Sequence, residues 1–252
     1  MALAPTEPND DPVPGGAARH YERLLADLYV WMAGGLEAAL ATGGADVAAY
    51  LPGRGLAIDL GAGFGMHAIP LARGGFDVLA LDTSPVLLDV LRAHAAGLAV
   101  RAVEADLRAV RQFAEAPAAL IVCLGDTLTH LASPTDVTRL VADAVALLAP
   151  DGRFVATFRD YTRPLRGDAR FVPVRSDDQR IHTCFLEEAG EHLRVHDLVH
   201  ERTNGGWRQR VSSYLKLRLA PEQALAAARA AGLDATLRPG PRGMVLLDGA
   251  QR

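Results

Sequence analysis

Asp59-Leu60-Gly61-Ala62-Gly63-Phe64-Gly65 is the stretch whose residue types ask for a ligand. It reads as a buried strand from Ala57 that breaks into a glycine bend and then opens a helix. Without side chains, Gly61, Gly63 and Gly65 allow a sharp turn and a close approach of backbone to ligand. A bend of this kind at the C-terminal edge of the first strand is where open α/β sheets bind nucleotides. Its G-x-G-x-G spacing differs from the G-x-G-x-x-G of dinucleotide sites. Asp59 puts a carboxylate in a strand that is otherwise apolar, and a buried carboxylate needs compensation. A cationic, nucleotide-like ligand supplies it. Asp82 ends the next apolar run, about 20 residues past the glycines, where an α/β unit places the acid that accepts hydrogen bonds from ribose hydroxyls.

A second group of polar residues follows the fourth and fifth apolar runs, at the same edge of the expected sheet. These are Asp126 and His130, in Gly125-Asp126-Thr127-Leu128-Thr129-His130, and Arg159 and Tyr161, in Arg159-Asp160-Tyr161. They are the candidates for contact with a second substrate.

Asp59 to Gly65 resembles the first motif of the class I S-adenosylmethionine-dependent methyltransferases, acid–aliphatic–G-x-G-x-G. The resemblance implies a sulfonium cofactor whose amino-acid end lies along Gly61, Ala62, Gly63 and Gly65, with Asp59 and His67 nearby. It implies that Asp82 and Thr83 hold the ribose, and that Asp106, with Ala105 and Leu107, meets the adenine. Leu124 and Gly125 complete the cofactor wall, and a leading segment lays Tyr21 and Tyr29 over the methyl group. Cys123 to Leu131 and Phe158 to Tyr161 are similar, more weakly, to segments of glycine and sarcosine N-methyltransferases. That likeness gives Asp126 the place of a substrate-contacting asparagine, His130 a place beside the cofactor, and Arg159 the substrate carboxylate, which its planar fork suits. Those three are the catalytic candidates. The tyrosine-rich substrate cage of those enzymes has no counterpart in the span from Arg175 to Phe185.

The elements that must position these residues follow from pattern. Met1 to Ala18, rich in Pro, Gly and Asp, is expected to be disordered. Residues 19–50 form a helical cap, with Leu24, Leu28, Trp31 and Met32 on one face and a break at Gly34-Gly35. Strand and helix then alternate: a helix from Met66 to Arg73, a strand from Phe76 to Asp82, and a helix opened by Ser84-Pro85 and closed by Gly97. A strand from Leu98 to Glu104, another from Ala118 to Leu124, and a helix from Ser133-Pro134 to Leu148 come next. Pro150-Asp151-Gly152 reads as a turn before a fifth strand, Arg153 to Phe158. From about Arg170 to Leu219 the period changes to two, with hairpin chemistry at Ala189-Gly190 and Asn204-Gly205-Gly206. A helix from Pro221 and two closing strands complete the chain. The fold class is therefore α/β: a three-layer Rossmann-like sheet of seven strands, with an antiparallel β insertion (166–219) after strand five and an N-terminal helical cap. The core is 51–165 with 220–252, and the whole of 1–252 is expected to be one methyltransferase domain.

Composition excludes several classes. The 252 residues are 50% hydrophobic and 22% charged, with a net charge of −4, which gives no basic footprint for nucleic acid. Cys123 and Cys184 supply neither a disulfide framework nor metal-ligand spacing, and His182, His196 and His200 share no helix, so no metal is assigned. No apolar run reaches the roughly 20 residues of a membrane span, and the N-terminus lacks the pattern of a signal peptide. A cytoplasmic enzyme acting on a small-molecule methyl acceptor is expected, without nucleic acid or membrane as partner; oligomeric state is not legible. Two other readings stay open. One is a module that binds the cofactor without catalysis. The other is a nicotinamide oxidoreductase, disfavoured by the glycine spacing and by Lys216 being the only lysine.

Overall fold

The computed structural model describes residues 16–251. The larger of two sheets has seven strands in the order β10-β11-β5-β4-β1-β2-β3. Their ranges are β1 Leu56–Leu60, β2 Asp77–Asp82, β3 Val100–Glu104, β4 Ala118–Cys123, β5 Leu148–Phe158, β10 Leu233–Pro239 and β11 Val245–Gln251. β1 to β5 are mutually parallel where they pair, and β11 runs antiparallel to both β5 and β10. The expected closing antiparallel strand is β11. Alternate residues of the central strands face opposite helix layers. Ile58, Leu60, Ile121, Cys123 and Phe154 pack with α6 (Pro134–Val145) and α7 (Pro221–Ala230). Ala57, Val78, Ala80, Leu120 and Val122 pack with α4 (Ala68–Arg73) and α5 (Pro85–His94). Both faces are covered, which explains why these strands read as continuous apolar runs.

The chain leaves β1 toward β2 and β3, then crosses back to β4 on the other side of β1. That reversal opens a crevice beyond the C-terminal ends of β1 and β4, the place where open α/β sheets bind ligands. Local chemistry sets the edges of the crevice. Ser84 caps α5, with Pro85 in its first turn, and Ser133 caps α6 in the same way.

The second sheet follows β5. It contains β6 (Phe171–Ser176), β7 (Arg180–Ala189), β8 (His192–Thr203) and β9 (Gly206–Leu217), antiparallel in sequence order. Gly190 and Gly206 adopt the positive φ that the tight connections need. The inner face carries Leu186, Leu193, Val195 and Tyr214, while Ile181, Trp207 and Val211 stay exposed on the other side.

Between the second sheet and the crevice lies the N-terminal cap. It runs from α1 (Ala17–His20) through a π turn at Tyr21–Leu25 and a 3-10 turn at Ala26–Leu28 into α2 (Tyr29–Met32). Leu24, Leu25 and Leu28 pack on Val199 of β8. Gly34 and Gly35, both at positive φ, then bend the chain by 81° into the segment that begins with α3 (Leu36–Val47). The predicted break therefore falls where expected. Among the described residues, no single helix is long and apolar enough to cross a membrane.

Two expectations need correction. Ala17 and Ala18 lie in α1, inside the span expected to be disordered; residues 1–15 lie outside the described residues. Pro150-Asp151-Gly152 is not a turn between elements but an irregularity inside β5, where the register with β4 shifts and Asp151 adopts a φ of 64°. Bulges use the same residue types as turns, and the ladder continues on both sides.

α3 crosses the glycine bend closely enough to give a test. A Cβ added at Gly43 would lie 1.8 Å from the Met66 carbonyl oxygen. Gly→Ala inside a helix ordinarily stabilises by roughly 0.5–1 kcal/mol, whereas overpacking against backbone costs about 1–3 kcal/mol. Gly43→Ala should therefore lower the urea midpoint at unchanged slope; a rise would show that α3 stands further off.

Candidate functional site

Two cavities adjoin at the crevice. The first contains about 1140 Å³ of empty space, part of it open to solvent, and its walls come from the loops after β1, β2, β3 and β4 together with the cap. Gly61 and Ala62 both donate their backbone N–H to the Leu81 carbonyl at 2.9 Å, so the bend is pinned across the β1–β2 pair. Gly63 N–H donates to Asp82 Oδ2 and Ser84 N–H to Oδ1, each at 2.8 Å. Asp82 is thus fixed in orientation, and its oxygens keep lone pairs for the cavity that it lines. Burial raises its pKa against the three backbone hydrogen bonds that lower it.

The three glycines serve different ends. At Gly63 an added Cβ would meet nothing nearer than Leu87 at 3.8 Å and Tyr29 at 4.0 Å, so this glycine keeps space open on the cavity side. At Gly61 a Cβ would lie 2.5 Å from the Thr127 methyl, and at Gly65 it would lie 2.3 Å from Leu91. Gly61 and Gly63 line the cavity, whereas Gly65 does not: it lets α4 and α5 pack closely.

Asp59 also stands off the wall. It is 1% exposed, beneath the bend, and its Oδ2 has no hydrogen-bond partner. Burial pushes its pKa up to about 6, opposed by His67 and reinforced by Asp82. An orphaned buried carboxylate oxygen below a loop is what a cationic ligand would compensate, so the residues present fit the sulfonium expectation. His67 does line the cavity, and it pairs with Asp46 at 3.2 Å. Thr83, Ala105, Asp106, Leu107, Leu124 and Gly125 all line this cavity. Asp106 is engaged by Arg108, which grips both its oxygens at 2.9 and 2.6 Å and holds its pKa low. Arg108 lines the cavity too and was not foreseen.

The second cavity, about 1730 Å³ of empty space, part of it open to solvent, lies between the cap, the loop after β5 and the inner face of the second sheet. It shares Tyr21, Tyr29, Gly125 and His130 with the first. Tyr21 meets Tyr29 edge-on at 5.5 Å and His130 at 5.9 Å, and His130 lies parallel to Tyr214 at 5.4 Å. Tyr161 adds a fourth tyrosine. The aromatic cage missing between Arg175 and Phe185 is built instead from the cap, the β5 loop and β9. Burial raises the pKa of all four phenols, which keeps them neutral.

Behind this wall Asp126 makes the contacts that hold the chamber together. Its φ of 77° is a strained position for a residue with a side chain. Its Oδ1 accepts from Arg159 N–H at 2.8 Å, and its Oδ2 accepts from the Tyr161 hydroxyl at 2.9 Å and from the Lys216 ammonium. Both oxygens are used and the residue lines neither cavity, which distinguishes it from the substrate-contacting role the likeness implied. Lys216, from β9, is buried and lines the chamber. Burial lowers its pKa, but Asp126 and Tyr161 more than offset this, so it stays charged. His130 is half-buried, with its Nδ1 buried and unpartnered; desolvation first and Lys216 second push its pKa down to about 3. Arg159 stands at the chamber edge and donates to the Arg242 carbonyl at 3.3 Å. Trp207 is outside, stacked under Arg202.

Residues 57–152 match the family model described as a methyltransferase domain. A glycine/sarcosine/dimethylglycine N-methyltransferase of Actinopolyspora halophila is 34% identical over 109 residues, covering 41% of this chain and 19% of that protein. The matched part is thus well under two thirds of that relative. Among solved structures, a sugar N-methyltransferase from a Streptoalloteichus species superposes with a TM-score of 0.74 at 19% identity, covering 100% of this chain and 99% of that one. An S-adenosylmethionine-bound amino pentose methyltransferase of Micromonospora echinaspora superposes at 0.71 and 21% identity, covering 84% and 90%. At these identities the likeness shows the fold.

Asp59 yields a test with a defined sign. A carboxyl group whose pKa rises from 3.8 unfolded to about 6 folded costs the free protein nothing below pH about 4 and its full amount above pH about 6. Asp59→Asn should therefore stabilise the ligand-free protein at pH 7.5 by about 1–3 kcal/mol. The gap in melting temperature should close as pH falls from 6 to 4, and a gap independent of pH would contradict the assignment.

Proposed function

We propose that the chain, whose residues 57–152 match a methyltransferase-domain family model, is a class I S-adenosylmethionine-dependent methyltransferase and methylates a nitrogen atom of a small molecule held in the second cavity. The observation that carries this reading is the shared wall. One cavity fits the cofactor, the other is walled by the cap, the β5 loop and the second sheet, and the two share Tyr21, Tyr29, Gly125 and His130.

Gly61, Ala62 and Gly63 would hold the amino-acid end of S-adenosylmethionine, Asp82 the ribose hydroxyls and Asp106 the adenine edge. When bound, the cofactor supplies an electrophilic methyl group. The protein's own contribution is alignment and exclusion of water. Orientation of this kind can remove up to roughly 7–11 kcal/mol of a barrier. The rigid tyrosines and His130 supply that alignment without titrating.

Nitrogen is favoured over oxygen by the absence of a competent base on the shared wall. His130, with a pKa of about 3, does not draw a proton from a hydroxyl near neutral pH. An amine arrives with its lone pair once it has lost its own proton to solvent, so its methylation asks for no base on the wall. Relatives and fold neighbours named above act on amino acids and amino sugars. Arg159 and Arg163 stand at the chamber for an anionic group of the acceptor.

Calorimetry with S-adenosylhomocysteine should show binding, weakened in Asp82→Ala by about 1–3 kcal/mol; no binding by the wild-type chain would overturn the cofactor role. A screen for S-adenosylhomocysteine release should then give turnover with amines of amino-acid or amino-sugar size. The rate should rise with pH toward the amine's own pKa, and turnover confined to hydroxyl acceptors would overturn the nitrogen assignment.

A further inference from the structure

The inner face of the second sheet is apolar at Leu186, Leu193, Val195 and Val199, yet it carries a compact polar group in their midst. His182 and Cys184 are two apart on β7 and therefore share a face. Asp197 on β8 pairs directly with Cys184, and Ser212 on β9 pairs with Asp197. His182 Nε2–H donates to Asp197 Oδ1 at 2.6 Å and the Cys184 thiol donates to the same oxygen at 2.9 Å. Cys184 Sγ lies 3.8 Å from His182 Nε2. His182 and Asp197 are each 1% exposed, and a ring nitrogen of His182, Nδ1, is buried without a partner.

We propose that His182, Cys184 and Asp197 form a binding site for a thiophilic divalent transition metal of the zinc type, with its open coordination position toward the second cavity. The donor set of one imidazole, one thiolate and one carboxylate is that of a three-ligand zinc site. The three donor atoms lie within 4.8 Å of one another. Tetrahedral zinc would set them about 3.3–3.6 Å apart, so the thiol–imidazole spacing is near its place and the carboxylate must back away by less than about 1 Å. Cys184 and Asp197 line the second cavity, which gives the fourth position to a lone-pair donor entering there.

The shell around the carboxylate is already built. His20, from α1, donates Nε2–H to Asp197 Oδ2 at 2.7 Å, and its Nδ1 accepts from the Ser212 hydroxyl at 2.8 Å. Outer partners of this kind fix a ligating carboxylate. On binding, the thiol proton is released to solvent and the sulfur becomes a thiolate ligand. The His182 proton moves to Nδ1, freeing Nε2. The charges of the thiolate and Asp197 then balance the ion. The site departs from the expectation of no metal, which rested on spacing along the sequence.

Cobalt(II) is the probe. Titrated into the chelator-treated full chain, it should produce a near-ultraviolet thiolate-to-cobalt charge-transfer band with an end point of one equivalent, bleached by zinc. Cys184→Ser should lose that band while still binding S-adenosylhomocysteine, and Cys123→Ala should keep it. His20→Ala should keep the band but weaken cobalt binding by about 10–100-fold. No charge-transfer band in the wild-type chain, or the same band in Cys184→Ser, would overturn the proposal. Neither result depends on turnover, so both are separable from the methyltransferase reading.

Discussion

A buried ion pair between two distant parts of the chain fixes the shape of the second cavity. Lys216 reaches from β9 of the second sheet to Asp126 in the loop after β4, 90 residues earlier. Asp126 also takes the Tyr161 hydroxyl and the Arg159 amide, so one carboxylate ties the second sheet to the loops after β4 and β5. Breaking such a pair from one side leaves an uncompensated buried charge, at a cost of roughly 3–5 kcal/mol. A better-packed apolar pair would hold the same elements at less cost. The charged version does something that an apolar one would not: it places a fixed positive charge beside His130, which adds to burial in keeping that imidazole neutral, while Tyr161 stays neutral through its burial against the pull of the same charge.

The cap is the other half of that enclosure. Its π turn carries Tyr21 and its α2 starts at Tyr29, so both rings come to the junction of the two cavities while Leu24, Leu25 and Leu28 turn to the second sheet. His20 anchors the start of the segment through Asp197 and stacks on Tyr214 at 4.4 Å. Asp197 stays ionised because the hydrogen bonds from His182 and His20 outweigh its burial. The cap therefore belongs to the walls of both cavities and does not merely cover the sheet.

What was legible in the sequence follows from the range of the interactions involved. Asp59 to Gly65, Asp82 and Asp106 could be placed because a parallel α/β unit brings successive loops to one edge, whatever else the chain does. The roles inside that motif needed coordinates: Gly65 resembles its neighbours in sequence but serves helix packing, and Asp106 shares its carboxylate with Arg108. The second cavity was largely hidden. Its walls come from the cap, the β4 and β5 loops and β9, and no local pattern says that Tyr21, His130, Tyr161 and Tyr214 converge. The His182, Cys184 and Asp197 group depends on hairpin register, and a slip of one residue would send every member to the opposite face. Pro150-Asp151-Gly152 misled for a different reason, since turn and bulge draw on the same residues.

The solitary lysine gives the molecule an unusual reactivity map. Apart from the chain's α-amine, the protein has one primary amine, and it is 7% exposed and bound to a carboxylate. Acylating reagents that decorate most protein surfaces thus find no side-chain target until the second sheet separates from the β4 loop. Slow labelling at this single position reports how often the chamber opens, and a guest lodged inside it would be read as protection of one nitrogen atom.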